Sequence, residues 1–291
     1  MKNINIFCYG FGQVAKSFIN RLSLEDFNIQ LSTTNRSETT LNKIGSIEYK
    51  SYKFENNKFD FEIIDKLKIC DHILISIPPI NGNDIVISNF SDALKTSKAK
   101  WITYLSATSV YGNHKGEWVN ELSETHPTST LGINRLKVEE NWLSFIKKNN
   151  LPFQIFRLSG IYSDQNNPLQ RLKSGNANLV NKPNHFFSRI HVEDIANILL
   201  KSLTNFKSNE IYNISDDKPA SSQEVMSYAA KILKTDLPEM IDEKDIKSEM
   251  LKNFYKDSKK VSNQKMKKFF NYSLKFPTYI EGLNNISNNL T

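Results

Sequence analysis

Cys8-Tyr9-Gly10-Phe11-Gly12-Gln13-Val14-Ala15 decides how the rest of this chain is read. It joins an apolar run, Ile4-Asn5-Ile6-Phe7-Cys8, to Gln13–Leu22, which carries Val14, Phe18 and Leu22 on one helical face. The form G-x-G-x-x-A between a strand and a helix has a physical reason at each small residue. Gly10 permits a tight turn, Gly12 lets the backbone approach a pyrophosphate, and Ala15 lets the helix pack close to the strand. The amides at the helix start then face the phosphates, where the helix dipole favours negative charge. Gly10, Phe11, Gly12, Gln13 and Val14 are therefore the first candidate dinucleotide contacts, with a purely structural turn as the alternative.

Outward from this loop, apolar runs alternate with helical stretches. Phe27–Ser32 and Ile47–Phe54 read as strands, Phe61–Ile69 as a helix, and His72–Ile77 as a fully apolar strand stopped by Pro78-Pro79. Ile85–Leu94 is helical, Trp101–Leu105 a strand, Leu131–Lys147 a long helix, and Phe153–Leu158 a strand. Near-continuous apolar strands between amphipathic helices predict an α/β fold with a doubly wound parallel sheet, covered by helices on both faces. Beyond Gly160 the pattern breaks. Ser163–Asn184 is polar, a helix starts near Val192, Ile211–Ile214 is a short strand, and Ser221-Ser222-Gln223-Glu224 has N-cap character before a helix to Leu233. The expected division is a dinucleotide-binding core over 1–162, to which 188–215 return. A smaller α+β substrate lobe takes 163–187 and 216–291.

The second strand ends in Ser32-Thr33-Thr34-Asn35-Arg36-Ser37. A site built for NAD(H) places Asp or Glu about 20 residues after the glycines to hold the ribose 2′-hydroxyl. Here Thr33, Thr34, Asn35 and Arg36 stand instead, and a guanidinium suits a 2′-phosphate. The prediction is NADP(H) in preference to NAD(H), which stays open; the alternative for Arg36 is a plain surface residue. Ser76, Pro78 and Pro79 end the fourth strand and join the candidate cofactor contacts.

Composition excludes other classes. The 291 residues carry 38 Lys+Arg against 31 Asp+Glu, a net charge of +7, with 39% apolar and 11% aromatic residues, so the chain has material for a sizeable core. Between Lys244 and Lys268, nine lysines meet three acids. These lysines are spread among apolar residues as on a solvated helix face, which argues against a nucleic-acid surface. No apolar run reaches the ~18 residues of a membrane span. Cys8 and Cys70 sit in or beside apolar runs and read as buried thiols of a reducing cytoplasm. No His/Cys/Asp cluster has metal-ligand spacing, so no metal is expected.

Taken together, Gly10–Ala15, Leu105-Ser-Ala-Thr-Ser-Val-Tyr-Gly112, Phe156-Arg-Leu-Ser-Gly-Ile-Tyr162 and Arg189-Ile-His-Val-Glu-Asp194 resemble the extended short-chain dehydrogenases/reductases, the superfamily of nucleotide-sugar epimerases and dehydratases. The resemblance implies a Rossmann core with a C-terminal substrate lobe, a small-molecule substrate of the sugar-nucleotide kind, and a homodimer through the long helices. It also implies a Tyr-x-x-x-Lys acid/base pair at the start of the long helix and a Ser or Thr on the preceding strand. Leu131 stands at that Tyr position, Arg135 at the Lys position, and Ala107 at the Ser position. A leucine exchanges no proton, so the superfamily chemistry cannot run unaltered.

Tyr111 is the surviving candidate acid, with packing in the V-Y-G turn as its alternative. Arg135 would supply a positive charge or pair with Glu139 one turn on. Ser106 and Thr108 would hold a substrate oxygen, and Ser106 also borders the cofactor. By resemblance Gly160, Ile161 and Tyr162 lie near the nicotinamide, and Arg189 borders the substrate. His191 is a candidate substrate contact, with a structural role at its helix start as the alternative. Trp118, with His114 and His126, sits in a loop able to cover the site. Two functions follow: an NAD(P)-dependent epimerase/dehydratase-like oxidoreductase with a rebuilt acid/base set, or a catalytically inactive sensor of NADP(H) or a metabolite.

Overall fold

The computed structural model describes residues 2–289. In chain order the first elements are β1 (Lys2–Tyr9), α1 (Gln13–Leu22), β2 (Phe27–Asn35), β3 (Thr40–Ile44), β4 (Ile47–Glu55), β5 (Lys58–Phe59), α2 (Glu62–Ile69), β6 (His72–Ile75), α3 (Ile85–Lys95) and β7 (Trp101–Ala107). There follow β8 (Trp118–Val119), α4 (Thr130–Asn149), β9 (Phe153–Leu158), β10 (Gly160–Tyr162), α5 (Pro168–Lys173), β11 (Leu179–Asn181), β12 (Arg189–His191), α6 (Val192–Thr204) and β13 (Glu210–Ile214). The last are α7 (Ser222–Leu233), β14 (Met240–Asp242), α8 (Glu249–Lys256), β15 (Lys260–Val261), α9 (Gln264–Phe270) and α10 (Tyr279–Asn288). The chain forms two compact units: residues 1–106, 134–157 and 195–212, and residues 107–133, 158–194 and 213–291.

The first unit is built on a sheet in the order β13-β9-β7-β6-β1-β2-β4-β3, with β5 paired to β4. β1 runs parallel to β2 and β6, β2 to β4, and β6 to β7. This is the expected doubly wound α/β arrangement. From β1 the chain steps one way to β2 and β4, then returns to β6 on the other side. The order reverses between β1 and β6, and open sheets of this kind take their ligand at that reversal. Phe7, Tyr9, Tyr52, Phe90, Ile155 and Trp142 belong to its buried core. Trp142 stacks on Phe153 at 5.0 Å and gives its indole hydrogen to Asp84 Oδ2 at 2.9 Å, so the polar end of the ring is satisfied as well.

Two features depart from the expectation. β2 extends to Asn35, so Thr33 and Thr34 lie on the strand and are buried. After β2 the chain makes an antiparallel edge strand, β3, and turns back through Gly45-Ser46 into β4. Gly45 has φ +56°, the left-handed region that a two-residue hairpin turn requires.

The second unit holds three small sheets, β10-β12, β11-β14 and β15-β8, with α5, α7 and α10. Within the segment expected to be a polar loop, α5 is N-capped by Asn167 and β11 pairs with β14. α7 begins with the anticipated capping box: Ser221 and Glu224 each accept from the other's backbone amide. Asp194 ties the C-terminal segment down, accepting from Tyr272 Oη at 2.6 Å and from the amides of Lys275 and Phe276. Among the described residues no helix is long and apolar enough to cross a membrane.

Candidate functional site

In the first unit the glycine loop leaves β1 at the sheet's reversal. Gly10 has φ +80°, and a Cβ there would lie 2.7 Å from Ile77 Cγ2 and 3.0 Å from Ser76 Oγ, so glycine is needed twice over. At Gly12 the opposite holds: nothing lies within 4 Å of where a Cβ would stand. Gly12 is the N-cap of α1, no side chain caps that helix, and its first turn contains no acid. Open space above amides at a positive helix end is what an incoming phosphate requires. Phe11 packs on Tyr49 at 5.0 Å, Val14 is buried and Gln13 is exposed.

Two of the predicted cofactor residues hold the loop. Gly10 N donates to Thr34 Oγ1 at 2.9 Å, and Ser76 Oγ donates to the carbonyls of Tyr9 and Gly10 at 3.0 and 3.1 Å. Thr34→Val removes the side-chain acceptor of that amide. It is expected to cost about 1–3 kcal/mol in urea unfolding and to weaken nucleotide binding; unchanged stability would refute this role. Thr33 is fully buried, and Asn35 Nδ2 is spent on Ser51 and on the Glu38 carbonyl. Arg36 is exposed, Pro78 is exposed and Pro79 half-buried. Both cysteines are free and buried, and burial pushes the Cys70 thiol up to about 12, so it stays a thiol.

At the end of β7, Ser106 is buried and its Oγ has no hydrogen-bond partner among the described residues. An orphaned hydroxyl is costly unless something external satisfies it. Arg135 sends Nη1 to the Leu105 carbonyl at 2.6 Å and to Tyr104 Oη at 3.2 Å, and stands 5.9 Å from the Tyr104 ring centre. It does not pair with Glu139. Glu139 instead meets Arg157, whose Nε lies 3.2 Å from both carboxylate oxygens and whose Nη2 lies 2.7 Å from Oε2. Burial pushes the Tyr104 hydroxyl far above its ordinary value, with Arg135 opposing.

In the second unit Tyr111 is fully enclosed and donates to Asn213 Oδ1 at 2.8 Å, while Thr108 is buried beside it in a short 3-10 turn. Leu131, at the position of the family's tyrosine, is 70% exposed. Arg189 donates to the carbonyls of Phe187 and Ala220, both at 3.0 Å. His191 is buried, accepts from Glu193 N through Nδ1, and packs on Phe276 and Tyr162. Desolvation lowers its pKa, so it is neutral near pH 7. Tyr162 lies against Gly282, where a Cβ would stand 2.1 Å from the hydroxyl. Gly160 is exposed, Ile161 half-buried and Trp118 56% exposed. Tyr111 and His191 thus carry contacts of the structural kind weighed as their alternatives, and Arg189 carries backbone contacts that its place in sequence did not disclose. Among the described residues no three His, Cys, Asp or Glu gather as a metal site.

A doubly wound sheet with an open glycine at a helix start is the Rossmann fold on which NAD(P)-dependent oxidoreductases are built. Residues 83–215 match the NAD dependent epimerase/dehydratase family. No curated protein matches the chain. Among solved structures it is similar to a functionally unknown conserved protein from Silicibacter pomeroyi, at 29% identity over 98% of both chains and a TM-score of 0.85. It is also similar to dTDP-glucose 4,6-dehydratase from Bacillus anthracis in complex with NAD (18% identity, 98% of this chain and 96% of that one, TM-score 0.78). A third is UDP-glucose 4-epimerase from Thermotoga maritima with UDP-glucose (15% identity, 99% and 100% covered, TM-score 0.77). At such identities the last two share the fold alone. The match over residues 83–215 agrees with the resemblance to the extended short-chain dehydrogenases/reductases, and these neighbours share the fold that the resemblance implies. The matched segment starts after the glycine loop and Arg36, so the family pattern does not speak for those residues.

Proposed function

We propose that this chain binds NADP(H) in preference to NAD(H) and acts as an epimerase/dehydratase-like oxidoreductase on a small hydroxyl- or carbonyl-bearing substrate. Sugar nucleotides, which its neighbours bind, are the leading class. The observation that carries the binding is the start of α1, where Gly12 is open and neither a cap nor an acid occupies the phosphate position. Gly10, Phe11, Gly12, Gln13 and Val14 would hold the pyrophosphate end, and Arg36 the 2′-phosphate. When bound, the nicotinamide supplies the hydride chemistry. Ser106, whose hydroxyl has no hydrogen-bond partner among the described residues, would hold the substrate oxygen. Gly160, Ile161, Tyr162 and Trp118 remain candidate contacts. A homodimer through α4 and a cytoplasmic setting belong to the same reading.

One observation favours a sensor without turnover. Tyr111 is committed to Asn213, Arg135 to Leu105 and Tyr104, and Leu131 cannot exchange a proton. Titration with NADPH and NADH, followed by energy transfer from tryptophan, tests the binding. NADPH is expected to bind at least about tenfold tighter, about 1.4 kcal/mol, and Arg36→Ala to erase the difference. Equal affinities in the unmodified protein would refute the preference. Tight binding with no oxidation of NADPH by carbonyl sugars or aldehydes would favour the sensor.

A further inference from the structure

We propose that Lys53 is the second cation of the 2′-phosphate site and that Glu38 is a resident counter-anion the phosphate displaces, so that this pair sets the strength of the NADP(H) preference. The inference rests on the NADP(H) reading above. β2 and β4 are parallel neighbours, and Asn35, the last residue of β2, lies opposite Lys53 near the end of β4. Arg36 follows directly and is exposed. Both cations therefore stand at the carboxyl ends of adjacent strands, the edge where such sheets take ligands.

A cleft of about 620 Å³ opens there, lined by Glu38, Thr39, Lys53 and Asp60 among others, with the exposed ring of Phe61 at its rim. Its backbone is braced. Lys53 N donates to Thr39 Oγ1 at 3.0 Å, Thr39 Oγ1 donates to Asp60 Oδ2 at 2.9 Å, and Asn35 Nδ2 reaches the Glu38 carbonyl at 3.3 Å. Asp60 spends its other oxygen on Glu62 N. The frame is held while the two charged ends stay in water: Lys53 Nζ meets Glu38 Oε1 at 2.6 Å, with side chains 34% and 81% exposed. An exposed pair of this kind is weak and screened by salt. A phosphate dianion offers Lys53 more charge than one carboxylate, and Arg36 can share it. Glu38 then works against the phosphate, as a competitor for the ammonium and as a like charge beside it.

The test is titration of the full chain with NADPH and NADH in Glu38→Gln, Lys53→Met and Arg36→Ala variants, all at exposed or half-exposed positions, with circular dichroism as the folding control. Glu38→Gln is expected to tighten NADPH by about threefold or more, and Lys53→Met to weaken it about fivefold, each leaving NADH within about twofold. If both leave NADPH affinity unmoved while Arg36→Ala lowers it, the proposal is overturned and the NADP(H) reading stands. If the unmodified protein shows no NADPH preference and Arg36→Ala changes nothing, the reading itself falls and the proposal with it.

Discussion

Gly112→Ala is expected to destabilise the protein by about 3 kcal/mol or more, enough to shift a urea midpoint far outside error. Gly112 has φ +72° and ψ −150°, a region essentially reserved for glycine. A Cβ there would lie 1.8 Å from the His126 carbonyl oxygen and 2.5 Å from its carbon, and these are backbone atoms that no rotamer change removes. Nor is the neighbourhood free to shift. His126 N donates to the Tyr111 carbonyl at 3.1 Å, Gly112 N to Ser109 O, and the buried Lys259 ammonium to Gly112 O at 3.0 Å. Gly45→Ala is the control: φ is also positive, but nothing lies within 4 Å of the added carbon. Only the left-handed penalty applies there, about 1–2 kcal/mol. Equal losses at the two positions would show that backbone conformation, not the collision with His126, dominates at Gly112.

The same turn shows what could be read from the residues and what could not. Elements whose cause is local were legible. β1 and α1 follow from an apolar run meeting a 3.6-residue stripe, and α7 from Ser221 and Glu224, which form the capping box their spacing announced. β3 was not legible because four of its five residues are exposed and the last is half-buried, so it offers no alternation to detect. Its one signal was Gly45-Ser46 between two short runs, a hairpin turn. α5 and β11 are six and three residues long, below what a periodic pattern can establish, and β11 exists by pairing with β14 some sixty residues on.

The site divides along the same line. Gly10 and Gly12 could be assigned because backbone geometry alone dictates them. Thr34 and Ser76 were read as cofactor contacts, and their hydrogen bonds to the loop itself were not legible. Side-chain direction on a strand cannot be told from residue type. Lys53 was read only as part of a strand, because its place opposite Asn35 is a matter of register that the residues do not announce. Tyr111 and Arg135 looked available because their partners are distant in sequence: Asn213 for the first, Tyr104 and Leu105 for the second.

Glu139→Ala is expected to cost about 3–5 kcal/mol, the loss typical when one member of a buried ion pair is removed. The carboxylate is 1% and the Arg157 side chain 6% exposed, and a guanidinium cannot shed its charge. Removing Glu139 therefore takes three hydrogen bonds from a buried cation beneath α4. The double variant Glu139→Leu/Arg157→Met distinguishes the pair's own value from the penalty of breaking it. If desolvation of both ions nearly offsets their attraction, the apolar pair recovers most of the loss, to within about 1 kcal/mol of the unmodified protein. If it is as unstable as Glu139→Ala, the pair contributes net stability, through charge-assisted bonds that an apolar pair cannot replace. A near-neutral single variant would contradict the burial on which both outcomes depend. This pair also bears on Arg135, one turn before Glu139. With Glu139 occupied by Arg157, the Arg135 guanidinium is left to hold the Leu105 carbonyl, next to the Ser106 hydroxyl, which has no hydrogen-bond partner among the described residues. Glu139→Ala in the background of Arg157→Met should therefore leave nucleotide affinity intact, whereas disturbing Arg135 should move the end of β7 and with it that hydroxyl.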